Sequence, residues 1–217
     1  FDGKFDVEKA KKIGDLHKKL QLALQQQNEE NISKLSDEIL GIDPSDEFAI
    51  KIRLYNYEIK NEMEKALEFI TELQKKSPDS ENLHLMKLNV MDKLQKSREE
   101  ICAEARKIFE KFKDNPDVLD SLAFMMISQF KFGSCSPALV LEASKRAVDI
   151  LPTDTKPLKK AYYIATLARA YYNVGKIENA IAEQEKAIPL ASGNEFEEKA
   201  FKDTLNFYKE ALAENKK

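Results

Sequence analysis

The sequence predicts an all-α chain of stacked helix pairs, and three observations carry that prediction. Apolar residues recur at helical spacing through nearly the whole chain. Prolines fall at Pro44, Pro78, Pro116 and Pro152, at spacings of 34, 38 and 36 residues. Glycine is scarce at 6, tryptophan is absent, and Ala, Leu, Glu and Lys dominate, as in helical chains. Each of the four prolines follows one charged-flanked apolar run and precedes another. Proline suits helix exits and first turns rather than helix interiors, so these positions read as joints between helix pairs.

The clearest unit runs from Tyr162 to Ser192, YYIATLARAYYNVGKIENAIAEQEKAIPLAS. Leu167, Ala168 and Tyr171 share one helical face, Gly175 breaks the helix, and Ala180 and Ala187 follow at helical spacing. This stretch resembles the tetratricopeptide repeat, a helix–turn–helix of about 34 residues whose small and large apolar positions interlock. The resemblance implies a right-handed solenoid with a concave inner surface. A single such unit cannot bury its apolar face, so neighbours must stack on it. It also implies binding rather than chemistry.

The upstream units are less regular. The first pair carries Leu16, Leu20 and Ala23, then Ile32, Leu35 and Ile39, and closes at Asp43-Pro44. In the second, Ile50, Leu54 and Tyr57 form one stripe. Asn61 with Glu64 then reads as a capping box, ahead of Ala66, Ile70 and Leu73. Ala66 stands where the family places its small packing residue. The third pair has Leu85, Leu88 and Met91, a Ser97/Glu100 capping box, then Ala105, Ile108, Phe109 and Phe112. Its extra length lies in the turn around Gln95–Glu99. The fourth runs Leu119, Leu122, Met126 and Phe130, a loop Phe132–Ser136, then Leu141, Ala143, Ala147 and Val148. Ser136-Pro137 reads as a cap with a first-turn proline. The linker Pro152–Pro157 is long for a turn and predicts an altered twist before the fifth pair. Pro189 is expected to kink or fray the end of that pair. Asn194 with Glu197 reads as a third capping box, opening a last helix with Phe201, Leu205, Tyr208 and Leu212 and a polar back. Five helix pairs and one C-terminal capping helix are expected, eleven helices in all. Residues 1–12 read as a linker and the start of the first helix, and residues 13–217 as the repeat domain.

Apolar residues make up 42% of the chain and charged residues 34%, enough for a core beneath much exposed surface. Net charge is −3 from 35 basic and 38 acidic residues, and the basic clusters Lys9–Lys12 and Lys75-Lys76 are short. Nucleic-acid binding needs a concentrated basic face, and none is present. No apolar run approaches the roughly 18 residues of a membrane span. Cys102 and Cys135 belong to no paired motif and read as small apolar fillers or a loop thiol.

Catalytic signals are absent. His17 and His84 lie in different repeats without metal-like partner spacing, and no CxxC, phosphate loop or nucleophile elbow occurs. Glu29-Glu30 and Glu99-Glu100 sit near helix starts, where carboxylates favour the helix dipole. No cofactor and no metal are expected. Most aromatics read as core. In the repeat register, however, Tyr55, Tyr162 and Tyr172 fall on the inner face of first helices, off the packing stripe. With Lys51, Glu58, Asn89, Arg169 and Asn173 they are the candidate lining of a groove for a protein or peptide partner. Tetratricopeptide chaperone adaptors that grip a C-terminal carboxylate place Lys and Asn four apart on a first helix. The matching positions here are His17/Gln21, Lys51/Tyr55, Leu85/Asn89, Met125/Gln129 and Ala165/Arg169, none a Lys/Asn pair, so that clamp is disfavoured.

The start of the chain carries a second resemblance. Gly3, Lys4, Phe5 and Asp6 are similar to the short G-K-[WF]-D segment that ends the thioredoxin domain in bacterial thioredoxin-like proteins with helical repeats downstream. Asp6 would cap a helix beginning near Val7. Together with a first residue other than Met, this implies a region following a thioredoxin-like domain, with the redox CxxC upstream and a periplasmic or envelope location. The leading expectation is thus a protein-interaction module attached to such a domain. A free-standing adaptor is the alternative. An enzyme or small-molecule receptor is a third reading, and it needs a deep pocket with converging titratable side chains.

Overall fold

The computed structural model describes residues 7–128 and 136–215, and among these all regular structure is helical. Eleven helices follow one another, and the chain divides into two compact units, Phe1–Gln95 and Lys96–Lys217. The first holds α1 (Val7–Gln25), α2 (Glu29–Ile42), α3 (Glu47–Ile59), α4 (Met63–Lys76) and α5 (Glu81–Lys93). The second holds α6 (Arg98–Lys111), α7 (Pro116–Ser128), α8 (Pro137–Asp149), α9 (Pro157–Asn173), α10 (Ile177–Leu190) and α11 (Glu195–Glu214). The division falls in the turn after α5, so the two helices of the third expected pair lie in different units.

The turns inside pairs share one device. Gln27, Asn61 and Gln95, each 34 residues after the one before, adopt φ of 53°, 55° and 54°. Gly175 does the same between α9 and α10, with φ of 75°. A left-handed residue just past a helix lets its own amide and the next one reach back to the last carbonyls. Glu62 N–H donates to Tyr57 O at 2.8 Å and Asn61 N–H to Glu58 O at 3.0 Å. Lys176 to Tyr171 and Gly175 to Tyr172 repeat the pattern at 3.0 and 2.9 Å. This corrects the reading of Asn61 as an N-cap. The tight turn claims its backbone, α4 begins two residues later, and the N-cap residue is Glu62, without a side-chain cap bond. The Ser97/Glu100 box forms as expected, with bonds of 3.2 and 2.9 Å, and Ser136 caps α8. Asn194 caps α11 through Glu197 N–H at 3.2 Å. The return bond of a box cannot form there, because Asn194 N–H already donates to Ala191 O. Gly3, Lys4, Asp6, Gln129, Phe130 and Cys135 lie outside the described residues, and α10 continues through Pro189 to Leu190.

In the first unit Leu20, Ile39, Ile50, Ile70 and Leu83 are completely buried, one or more from each of the five helices. Asp46 does two jobs: one carboxylate oxygen caps α3 at Ala49 N–H, the other meets His17 Nε2 of α1 at 2.9 Å. Arg53 lies over the Tyr57 and Phe69 rings while pairing with Asp37 of α2 at 3.4 Å. In the second unit Ala161, Ala168, Ala180 and Ala187 are fully buried, and their small side chains let α9 and α10 approach closely. The last helix covers that pair with Phe201 and Tyr208, 7% and 2% exposed. Burying two such rings contributes roughly 2–3 kcal/mol each. Antiparallel pairs, 34-residue turn spacing and small residues at the helix contacts define the architecture. It is tetratricopeptide-like.

A non-glycine residue at positive φ costs about 1–2 kcal/mol of backbone energy. A Cβ on Gly175 meets nothing within 4 Å, so its substitution tests the backbone alone. Gln95→Gly is expected to stabilise by roughly 0.5–1 kcal/mol and Gly175→Ala to destabilise by about 1 kcal/mol in urea unfolding. Unchanged midpoints in both would contradict the turn assignment.

Candidate functional site

In the second unit α7, α9 and α11 leave a cleft between them, with α10 beneath. Its volume is about 380 Å³. Tyr162, Ala165, Thr166 and Arg169 of α9 form its floor. Asp120, Phe124 and Ile127 of α7 stand on one side, and Ala200, Phe201, Thr204 and Tyr208 of α11 on the other. Gln184 of α10 closes it from below. A second hollow of about 590 Å³ shares Ile127, Arg169, Thr204 and Tyr208 and continues past Ser128, Tyr172, Asn173, Asp203 and Phe207. The two make one furrow along α9, from Tyr162 to Asn173. At 1.5 Å per helical residue it is roughly 16 Å long, about five residues of extended chain.

Aromatic contacts shape the walls. Tyr162 stands edge-on to Phe201 at 5.7 Å, and its hydroxyl donates to the Glu197 carboxylate, which raises the phenol's pKa. Tyr172 stacks on Tyr208 at 5.1 Å and 24°, with Phe207 at 5.3 Å. Arg169 donates to Ser128 Oγ at 3.1 Å and to the Tyr208 hydroxyl. Burial pushes the Tyr208 phenol up, and the Arg169 guanidinium opposes it. Phe124, Tyr162 and Phe207 remain 45%, 41% and 52% exposed, an unusual concentration of accessible aromatic surface.

The polar groups are more telling. Asp117 and Asp120 lie one helical turn apart on α7 and diverge. Asp117 meets Lys159 Nζ at 2.6 Å and the Tyr163 hydroxyl; those hydrogen bonds hold its carboxyl below the usual range. Asp120 is largely buried, and burial pushes it up to about 6. The neighbouring Asp117 charge adds to that rise, whereas a bond with Thr166 and the charge of Lys159 oppose it. Its Oδ1 has no partner. Gln184 is completely buried; its Nε2 donates to Phe201 O at 3.1 Å, which fixes the amide and leaves Oε1 also without a partner. Both residues belong to the cleft lining, and both orphaned oxygens are closed to solvent.

Of the residues expected to bind a partner, Tyr162, Arg169, Tyr172 and Asn173 converge along this furrow. Lys51, Tyr55, Glu58 and Asn89 lie in the first unit. Lys51 pairs with Glu47 at 2.5 Å, and Glu58 of α3 pairs with Lys93 of α5 at 2.5 Å. Tyr55 is 62% exposed, and Asn89 is half-buried. Sequence reasoning missed Asp120 and Gln184. The available signal was Asp120 inside the apolar run VLDSLAFMMI, where a surface helix would not place it. His17 is bonded to Asp46, and His84 Nε2 lies 2.9 Å from Pro78 O. Cys102 is half-buried and free. Among the described residues no three metal-ligating side chains gather, and no helix is long and apolar enough to cross a membrane.

No protein-family model matches this chain, and no curated protein matches it. Solved structures do. The TPR protein YrrB, described as having an unusual peptide-binding site, is 14% identical, with a TM-score of 0.47 over 81% of this chain and 84% of its own. MamA is 15% identical, with a TM-score of 0.44 over 74% and 88%. The P58(IPK) TPR domain is 14% identical, with a TM-score of 0.36 over 97% and 68%.

Burial of Asp120 gives a pH signature. Below about pH 4 the carboxyl is protonated in both folded and unfolded chains and costs nothing. Between about 4 and 6 the unfolded chain releases its proton first, so stability falls; above 6 the penalty is complete. That rise corresponds to roughly 3 kcal/mol. Asp120→Asn is expected to remove this loss. In thermal unfolding, Tm of the variant minus that of the native chain should climb from pH 4 to pH 7; a flat difference would contradict the burial.

Proposed function

We propose that this chain is a protein-interaction module, and that its second unit holds an extended partner segment in the furrow along α9. The observation that carries this reading is the concentration of accessible aromatic rings, Phe124, Tyr162 and Phe207, along one open channel. The stacked rings of Tyr172 and Tyr208 are held on helices, so little order is lost on binding. Lys51, Tyr55 and Glu58, spaced along one face of α3, with Asn89, are a second contact surface, anchored on the Tyr55 ring. A balanced charge favours protein over nucleic acid as the partner. Attachment to a thioredoxin-like domain rests on the resemblance of Gly3 to Asp6 alone; a gene encoding a CxxC-bearing domain ahead of Phe1 would support it.

The test is selection of a random peptide display library on the full chain. Enriched peptides should lose at least tenfold in affinity for Ala200→Trp, whose added ring fills the cleft from an exposed position on α11. Equal affinity for both proteins, with unchanged helical circular dichroism, would overturn the assignment of the furrow.

A further inference from the structure

We infer that the furrow recognises an acidic side chain within the partner segment, its carboxylate paired with Arg169 and its apolar neighbours laid against the flanking rings. The inference rests on the furrow being the binding site and specifies what enters it. Arg169 belongs to both hollows, and among their described lining residues it is the only cation. Arg53, Arg106 and Arg146 each meet a carboxylate, at 3.4, 2.8 and 2.6 Å. Arg169 meets hydroxyls instead, Ser128 Oγ at 3.1 Å and that of Tyr208. Among the described residues no carboxylate pairs with it, and the residue is exposed.

A neutral hydroxyl orients a guanidinium without cancelling its charge. The fork is held from α7 and α11 with N–H donors left over, and it suits the two oxygens of a carboxylate. Holding it in advance lowers the ordering cost of forming the pair. A phosphate carries close to two charges, whereas a single cation matches the single charge of a carboxylate. The acids nearby do not fill this role. Asp120 is bonded to Thr166, its free oxygen is closed to solvent, and Lys159 is the cation that opposes its charge. Glu197 accepts from the Tyr162 hydroxyl. Asp203 is exposed and lines only the second hollow. Along α9, Arg169 lies between Tyr162 and Tyr172, with Phe124 in the first hollow and Phe207 in the second. A chain paired at Arg169 therefore has apolar surface on both sides, which places the carboxylate inside the segment rather than at its end. Side chains covering the pair exclude water and strengthen it.

Binding is read by NMR titration of the full chain. The probes are capped pentapeptides with leucine at both ends, alanine beside each leucine, and glutamate, glutamine or lysine at the centre. A fourth probe is the glutamine peptide with a free C-terminal carboxylate. The glutamate peptide should shift the Arg169 Nε–H resonance and bind at least tenfold more tightly than the glutamine or lysine peptide, by a margin that shrinks in molar salt. Arg169→Gln should remove that preference while keeping the native helical circular dichroism, because the residue is exposed. Equal binding of the glutamate and glutamine peptides overturns the inference, as does a glutamate preference that survives in Arg169→Gln. Tighter binding of the lysine peptide would move charge recognition to Asp203 and overturns it too. Tightest binding of the peptide with the free end would give Arg169 to a chain terminus instead. If no probe binds while display-selected peptides still occupy the furrow, the carboxylate assignment falls and the binding surface stands. If those peptides also ignore Ala200→Trp, both fall.

Discussion

A helix pair has one apolar stripe and cannot hide it from water without another helix laid across it. Every feature of this molecule follows from how that covering is arranged. Through α1 to α5 each stripe is covered by the next helix, and the buried Leu and Ile residues form one continuous core. α11, the last of the described helices, covers α10 and the edge of α9 with Phe201 and Tyr208 and presents Lys and Glu to solvent. The covering is incomplete. The space left between α7, α9 and α11 is the furrow, so the candidate site is a consequence of how α11 lies on that pair.

That incomplete covering also explains the electrostatics. Asp117 and Asp120 are chemically identical and one turn apart, yet one carboxyl sits low and the other near 6. Asp117 reaches the rim, where Lys159 and Tyr163 can meet it. Asp120 faces inward against aromatic walls. A charge held there without full compensation is a stability cost. Gln184 shares the situation from below, one end of its amide used to tie α10 to α11 and the other left over.

Much of the fold was legible in the sequence because its determinants are local. Proline spacing marked the joints between pairs, and Ser97, Ser136 and Asn194 capped the helices they were expected to cap. Asn61 was misread for an instructive reason: Asn serves both an N-cap and a left-handed C-terminal turn, and the residues around it fit either. The 34-residue recurrence of Gln27, Asn61 and Gln95 was hidden because glycine, not an amide, is the usual marker of such a turn. Tyr162, Arg169, Tyr172 and Asn173 were expected on one face, and they lie along one furrow, because a helix face can be read from register. Asp120 and Gln184 were not, because their meaning depends on α11 folding back over residues more than fifteen positions away, a tertiary fact with no local trace.

The central claim is that a largely buried Asp120 stands in the wall of a binding furrow. Carbon-13 titration of the Asp120 carboxyl in the full chain reads this directly. The account predicts a midpoint near 6. A midpoint near the ordinary value in the free protein would contradict it.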